Sequence, residues 1–166
     1  MIGLLRVTGI VAAVSSVWIV AASQVPTPHK LALGSIVPDA VITQPFGCSA
    51  LVLEPFDPYC PSHHIHTGVD LAAPQGTPVL AAAAGGVAGV AFDPGGAGLY
   101  VVVAVGGRTR VLYCHLSEAS VKEGEWVATG EVIGEVGATG LATGPHLHFE
   151  VQVEGRAVDA ALWLAS

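Results

Sequence analysis

Polar and apolar residues alternate along His146-Leu147-His148-Phe149-Glu150, directly after Gly144-Pro145, and that period of two predicts a strand. Side chains two apart on a strand share a face, so His146, His148 and Glu150 point one way and Leu147 and Phe149 the other. The same period recurs upstream. Val41-Ile42-Thr43 is a short strand candidate ended by Pro45, and Val79 to Ala84 and Val87 to Phe92 read as two strands across Gly85-Gly86. The clearest hairpin joins Leu99 to Val105 with Arg108 to Leu116 through Gly106-Gly107, a turn whose residues accept positive φ. In its second arm the alternation puts Val111, Tyr113 and His115 on one face and Leu112 and Cys114 on the other. Cys114 then reads as a small core residue, not a nucleophile. Val121 to Gly134 predicts two short strands around tight turns. Glu150 to Val153 and Arg156 to Val158 make a last pair across Glu154-Gly155, and Ala160 to Leu164 a helical turn.

Composition narrows this picture. With 166 residues, 52% hydrophobic, the chain holds one domain with a sizeable core and hardly two. Its 21 glycines and 11 prolines fit a β-rich, turn-dense domain better than a helical one. A net charge of −7 supplies no basic footprint for nucleic acid or an anionic membrane. Met1 to Ala22 stands apart: Arg6 is its one charged side chain, an apolar run follows, and Val20-Ala21-Ala22 offers the small residues of a signal-peptidase site. We read it as an export signal, cleaved or retained as a membrane anchor, which places the rest of the chain outside the cytoplasmic membrane. Residues 23–35 read as a proline-containing linker, and the folded domain as 36–166.

Three cysteines in an exported chain suggest one bridge and one free thiol. Cys48–Cys60 is the economical pairing, since both flank one proline-containing loop; closing such a loop contributes roughly 3 kcal/mol. Pairing of Cys114 with either remains open at this level.

The candidate chemistry lies in histidines. Two imidazoles about 6–7 Å apart on one strand face reach one metal ion, or one ion and its bound water; equally, they are two exposed histidines on a half-buried strand. His66 and Asp70, four apart, also share a face if their segment is extended, and a histidine with a carboxylate suits a borderline ion such as zinc. Neighbouring His63 and His64 read as solvated loop residues, and His115, taken alone, as an ordinary strand-end histidine. The segment around Trp126 also fits biotinyl or lipoyl carrier domains, but Lys122 precedes the turn where such carriers need their attachment lysine.

Taken together, these stretches resemble the LytM/lysostaphin-type zinc metallopeptidases (peptidase family M23) that cut peptidoglycan peptides. The resemblance is carried by Thr43-Gln44-Pro45-Phe46-Gly47, His66-Thr67-Gly68-Val69-Asp70, Gly76-Thr77-Pro78-Val79, Tyr113-Cys114-His115-Leu116-Ser117, Val136-Gly137-Ala138-Thr139-Gly140 and Thr143 to Glu150, in the family's order. It implies an antiparallel β-sheet groove with zinc at its floor, held by His66, Asp70 and His148. His115 and His146 are similar to the family's two catalytic histidines. A tyrosine that assists the transition state in some members has only Tyr59 nearby, at a spacing that does not match.

Chemistry agrees with that assignment. Two imidazoles and a carboxylate leave zinc an open fourth position, as in catalytic sites, and water bound there loses its proton near neutral pH. No H-E-x-x-H is present to supply a glutamate base, so proton transfer falls to histidine. Of His115 and His146, one serves as base toward the water and the other as donor to the oxyanion or leaving amine, their order left open. Glu150 either orients a ring from behind or is a solvated edge residue. The alternative is an inactive zinc-binding relative acting as a scaffold or activator of wall enzymes, although all five positions are kept. A non-catalytic β-sandwich carrier or adhesion module is a third reading.

Overall fold

The cleanest alternation, at His146–Val153, forms an eight-residue strand in the interior of the main sheet. The structure, a computed structural model, describes residues 30–166; the apolar run and the linker up to residue 29 lie outside the described residues. In chain order the elements are α1 (Leu33–Ile36), β1 (Val41–Gln44), β2 (Gly47–Ser49), β3 (His64–His66), β4 (Val69–Ala72), β5 (Pro78–Leu80), β6 (Gly85–Asp93), β7 (Gly98–Gly106), β8 (Thr109–Leu116), β9 (Glu118–Ala119), β10 (Trp126–Val127), β11 (Val132–Glu135), β12 (His146–Val153), β13 (Arg156–Val158) and α2 (Ala160–Leu164). The main sheet runs β1-β4-β12-β8-β7-β6-β10, with β13 also on β12; β5-β11-β9 and β2-β3 form two small sheets. Every named pairing is antiparallel. The fold is all-β, as the alternation and the glycine content predict. No helix among the described residues is long and apolar enough to cross a membrane.

β12 lies between β4 and β8, and this placement builds the site: His148 faces Asp70 on one side and Cys114 on the other. Its alternate residues Leu147, Phe149 and Val151 are fully buried. They join Val69 and Leu71 of β4 and Val111 and Tyr113 of β8 in the core, closed over by Val79, Ile133 and Val136. The Phe149 ring lies 5.5 Å from that of Tyr113. The Tyr113 hydroxyl accepts the Ala82 N–H at 2.8 Å, so the buried phenol is satisfied. Burying one side chain the size of Phe149 contributes about 1.5–3 kcal/mol, which makes the apolar half of β12 the anchor of its polar half.

Three expectations change. Gly85 and Gly86 are not a turn: they open β6, pairing with β10 and, through Gly86, with β7, while β5 leaves to pair with β11. A Cβ on Gly85 would overlap the Ala104 carbonyl, so glycine serves close strand approach there. The β7–β8 turn sits one residue later than expected, at Gly107-Arg108, both at positive φ between the paired Gly106 and Thr109. His115 leaves the face of Val111 and Tyr113. Val101 pairs with Tyr113 but Leu99 with Leu116, so β8 carries one extra residue, a β-bulge. His115 takes φ +64 inside it. Cys114 and His115 therefore both line the groove, and Leu116 returns to the core with no exposed surface.

The Cys48–Cys60 disulfide is formed and Cys114 is free and buried. The loop it closes is fastened further: the Gln44 amide donates to Ser49 Oγ at 3.1 Å and to Glu54 Oε1 at 3.0 Å, and Ser62 Oγ donates to the Ser49 carbonyl. Lys30 to Ser35, assigned by composition to the linker, lie against the domain: Leu31 N–H donates to Ala82 O at 2.7 Å, and Lys30 Nζ to Trp163 O at 2.6 Å.

Candidate functional site

His66 ends β3 and Asp70 lies within β4, so the two are not on one extended strand. The chain bends at Thr67-Gly68 between them, and a Cβ on Gly68 would come within 2.8 Å of the His148 ring and 2.6 Å of the Phe149 carbonyl. Glycine there lets β3 and β4 close over β12. The result is a tight triangle. His66 Nε2 lies 3.0 Å from Asp70 Oδ1 and 3.0 Å from His148 Nδ1, and His148 Nδ1 lies 3.0 Å from the same Asp70 oxygen. His66 is almost wholly buried, and Asp70 and His148 are half-buried.

The protons of this cluster are placed by its neighbours. The Pro45 carbonyl, 2.9 Å from His66 Nδ1, can only accept, so it fixes the His66 proton on Nδ1 and leaves a lone pair on Nε2. His148 Nε2 faces Glu150 Oε2 at 3.5 Å, which draws its proton there and leaves Nδ1 a lone pair. Glu150 is held in turn by Thr67 Oγ1 at 2.6 Å and the Gln152 amide at 2.6 Å. With both rings neutral, two imidazole lone pairs and a carboxylate oxygen at mutual distances of 3.0 Å repel one another, which a metal ion between them relieves, or in its absence a proton on His148 Nδ1. A tetrahedral ion with bonds of about 2.0 Å spaces its ligands by about 3.3 Å, so this donor set fits a small divalent metal. Among the described residues these three form the one group of histidine, cysteine and acidic side chains so placed.

Electrostatics follow from the same contacts. Burial raises the Asp70 carboxyl, but the adjoining His148 and His66 rings outweigh it and hold Asp70 well below the usual carboxylate range. Burial pushes the His148 imidazole down, while its bonds to Asp70 and Glu150 push it up further, and the net shift is upward. Glu150 is likewise lowered, its bonds to His148, Thr67 and Gln152 overcoming burial. Burial above all raises the Cys114 thiol, helped by the Glu150 and Asp70 charges, so it stays protonated and unreactive.

Two more histidines complete the floor. His115 Nδ1 donates to the Thr139 carbonyl at 2.8 Å and His146 Nδ1 to the Gly144 carbonyl at 2.8 Å, so each keeps an Nε2 lone pair. Their ring centres are 4.8 Å apart, and His146 Nε2 lies 3.8 Å from Asp70 Oδ1. Burial lowers His115 from 6.5 to about 4, against the opposing pull of the Thr139 hydrogen bond. His115 is therefore neutral at neutral pH. The groove above these residues encloses about 350 Å³ and is lined further by Leu51, Leu53, Glu54, Leu141 and Thr143. A second hollow of about 250 Å³, beside Thr43 and Pro145, shares Asp70 and His146 with it.

The other sequence candidates lie elsewhere. His63 stacks on Phe56, His64 donates to the Glu54 carbonyl, and Tyr59 is 93% exposed and away from the groove. Thr67 and Gln152 escaped the sequence reading. Gln152 sits two beyond Glu150 on the groove face, a position the alternation does indicate, whereas the reach of Thr67 to Glu150 depends on the bend at Gly68.

Comparison with known proteins adds to this geometry. A family model described as peptidase family M23 matches residues 64–160. Peptidoglycan DD-endopeptidase ShyA of Vibrio cholerae is 46% identical over 95 residues, 57% of this chain and 22% of its own length. The catalytic domain of lysostaphin from Staphylococcus simulans superposes with a TM-score of 0.67 at 30% identity, covering 82% of this chain and 99% of that domain. A zinc-containing peptidase from Vibrio cholerae superposes at 0.66 with 36% identity, covering 80% of this chain and 40% of that one. The chain spans between 20% and 26% of the full length of curated relatives such as the Vibrio cholerae endopeptidase.

Proposed function

Because the chain belongs to peptidase family M23, we infer that it is a zinc-dependent endopeptidase acting on the peptides of peptidoglycan. One observation carries the reading: three acceptor atoms converge at 3.0 Å on the floor of an open groove, beside two histidines with free Nε2 atoms. His66 Nε2, Asp70 Oδ1 and His148 Nδ1 would hold the zinc. When bound, zinc polarises a peptide carbonyl and acidifies a water. His66 and His148 keep their lone pairs inward through Pro45 and Glu150. His115 and His146 move the protons: one accepts the proton of the attacking water on its Nε2 lone pair, and the other, once protonated at Nε2, delivers a proton to the leaving amine. The groove and the second hollow share Asp70 and His146, which gives a peptide room to lie across the site.

Peptidoglycan as substrate rests on the name of the Vibrio cholerae relative. Action in the cell envelope, outside the cytoplasmic membrane, rests on that substrate, on the formed disulfide and on the apolar run before Ser23. The test is digestion of purified peptidoglycans of different cross-bridge chemistry by the zinc-loaded protein, with mass spectrometry of the fragments. New amine and carboxyl ends at one peptide bond, abolished by a chelator, are expected. A protein that binds zinc and releases nothing from any of them would be a scaffold instead.

A further inference from the structure

Val136 to Gly140 contributes no side chain to the metal cluster, yet Thr139 is bound on all sides to the backbone around His115. Its hydroxyl accepts the Leu99 N–H at 2.9 Å and donates to the Leu116 carbonyl at 2.8 Å. Leu99 and Leu116 face each other across β7 and β8 just past the bulge that contains His115. A bulge interrupts ladder pairing, and a hydroxyl, donor and acceptor at once, satisfies one group from each strand there. The Thr139 carbonyl accepts the His115 ring proton, and the Thr139 N–H approaches the His115 carbonyl at 3.5 Å. Gly98 and Gly140, both at positive φ, bring their backbones so close that a Cβ on Gly98 would overlap Thr139 and one on Gly140 would overlap Gly98. Thr139 is thereby fixed in depth as well as in direction.

We propose that Thr139 is a positioning residue for His115: its hydroxyl seals the bulge that turns His115 into the groove, and its carbonyl keeps the ring proton on Nδ1 so that Nε2 faces the reacting groups. The consequence for turnover rests on the reading of His115 as a proton carrier; the seal itself needs neither metal nor peptide. A non-glycine residue at positive φ persists only where its surroundings over-determine it, and at His115 those surroundings are the Thr139 contacts and the His115 N–H bond to the Ala97 carbonyl.

The experiment compares Thr139→Val, which keeps the shape and removes the hydroxyl, with Thr139→Ser, which keeps it. Both are made in the full chain, in wild-type and His115→Ala backgrounds, with folding checked by circular dichroism. Thr139→Val should lower kcat by about 10–100-fold, the scale of a misplaced catalytic group, with KM and zinc content unchanged. Thr139→Ser should restore most of the loss, and in the His115→Ala background Thr139→Val should cost nothing more. In zinc-free protein, long-range nitrogen–proton NMR should show His115 as the Nδ1–H tautomer, and as a mixture in Thr139→Val. That readout stands even if the protein cleaves no peptidoglycan, in which case the proposed function fails and the positioning role survives. Should Thr139→Val not fold, Thr139→Ala carries the same comparison. Loss of zinc in Thr139→Val, an equal loss of kcat in the His115→Ala background, a serine variant as poor as the valine one, or an unchanged tautomer would each overturn the proposal.

Discussion

His148 and Asp70 are register partners on β12 and β4, and their facing atoms Nδ1 and Oδ1 lie 3.0 Å apart. Backbone hydrogen bonding between the strands thus sets the spacing of two of the three proposed ligands. A three-ligand site has no redundancy. His66→Ala, Asp70→Ala or His148→Ala should each lower zinc occupancy steeply, and metal analysis of His148→Ala showing full zinc would contradict the assignment.

The same contacts give metal binding a pH dependence. In the metal-free protein the Asp70 and Glu150 bonds outweigh burial and raise His148 above the ordinary histidine range, so at neutral pH its ring carries a second proton, on Nδ1 toward Asp70. Zinc must displace that proton. Affinity should therefore rise with pH, by about tenfold per unit for each proton released, and calorimetry in buffers of different ionisation enthalpy should detect the release. Binding without proton release through neutral pH is the contrary result.

His115→Ala and His146→Ala should retain zinc and lose turnover by about 10²–10⁴-fold, the usual worth of general acid–base help. Because burial depresses His115 to about 4, its neutral, proton-accepting form persists across the range where an ordinary histidine would charge. NMR titration of the metal-free protein should show the His115 ring unchanged from pH 8 down to the region of its lowered pKa. A midpoint at the ordinary value would refute the burial argument.

Glu150→Gln keeps the side-chain size but removes the charge that faces His148 Nε2, and its amide nitrogen would meet either the Gln152 amide or the Thr67 and His148 donors that now bond the carboxylate. Loss of such a partner typically weakens metal binding by about 10–100-fold. Competition with a chromophoric chelator measures this directly; equal affinities for variant and wild type would make Glu150 a bystander.

Cys48→Ser with Cys60→Ser should lower unfolding stability by roughly 3 kcal/mol in urea titrations, by the chain-entropy estimate for a loop of this size. The loop also supplies one wall of the groove, so KM should rise with the loss. A variant as stable as wild type would mean that the Gln44 bonds to Ser49 and Glu54 hold the loop alone.

The histidine-bearing face of β12 was legible because its alternation is strict and Leu147 and Phe149 leave no doubt which side is buried. The disulfide was legible from the shortness of its loop. His66 with Asp70 was legible as a pair only, since their meeting depends on a bend that Gly68 permits and on a strand partner some eighty residues away. His115 was misplaced for a related reason. Alternation assumes an unbroken ladder, and nothing in Tyr113-Cys114-His115-Leu116 announces the extra residue that the Leu99–Leu116 pairing imposes. Gly85-Gly86 misled because glycine serves both turns and close strand approaches, and only the neighbouring Ala104 carbonyl decides between them. The docking of Lys30 to Ser35 depends on Ala82 and Trp163, which composition cannot see.

The bulge in β8 also bears on how this gene can change. Because the extra residue makes Cys114 and His115 consecutive groove residues and still returns Leu116 to the core, the two halves of β8 are out of phase with each other. Drift by substitution at Cys114 is open, since a thiol that stays protonated and bonds nothing gives way to alanine or serine. A one-codon deletion there is closed: it would restore the regular phase, carry Leu116 off the core face and strip the groove of one of its two adjacent residues. Lineages descended from this chain should vary among small residues at position 114 and keep the length of β8.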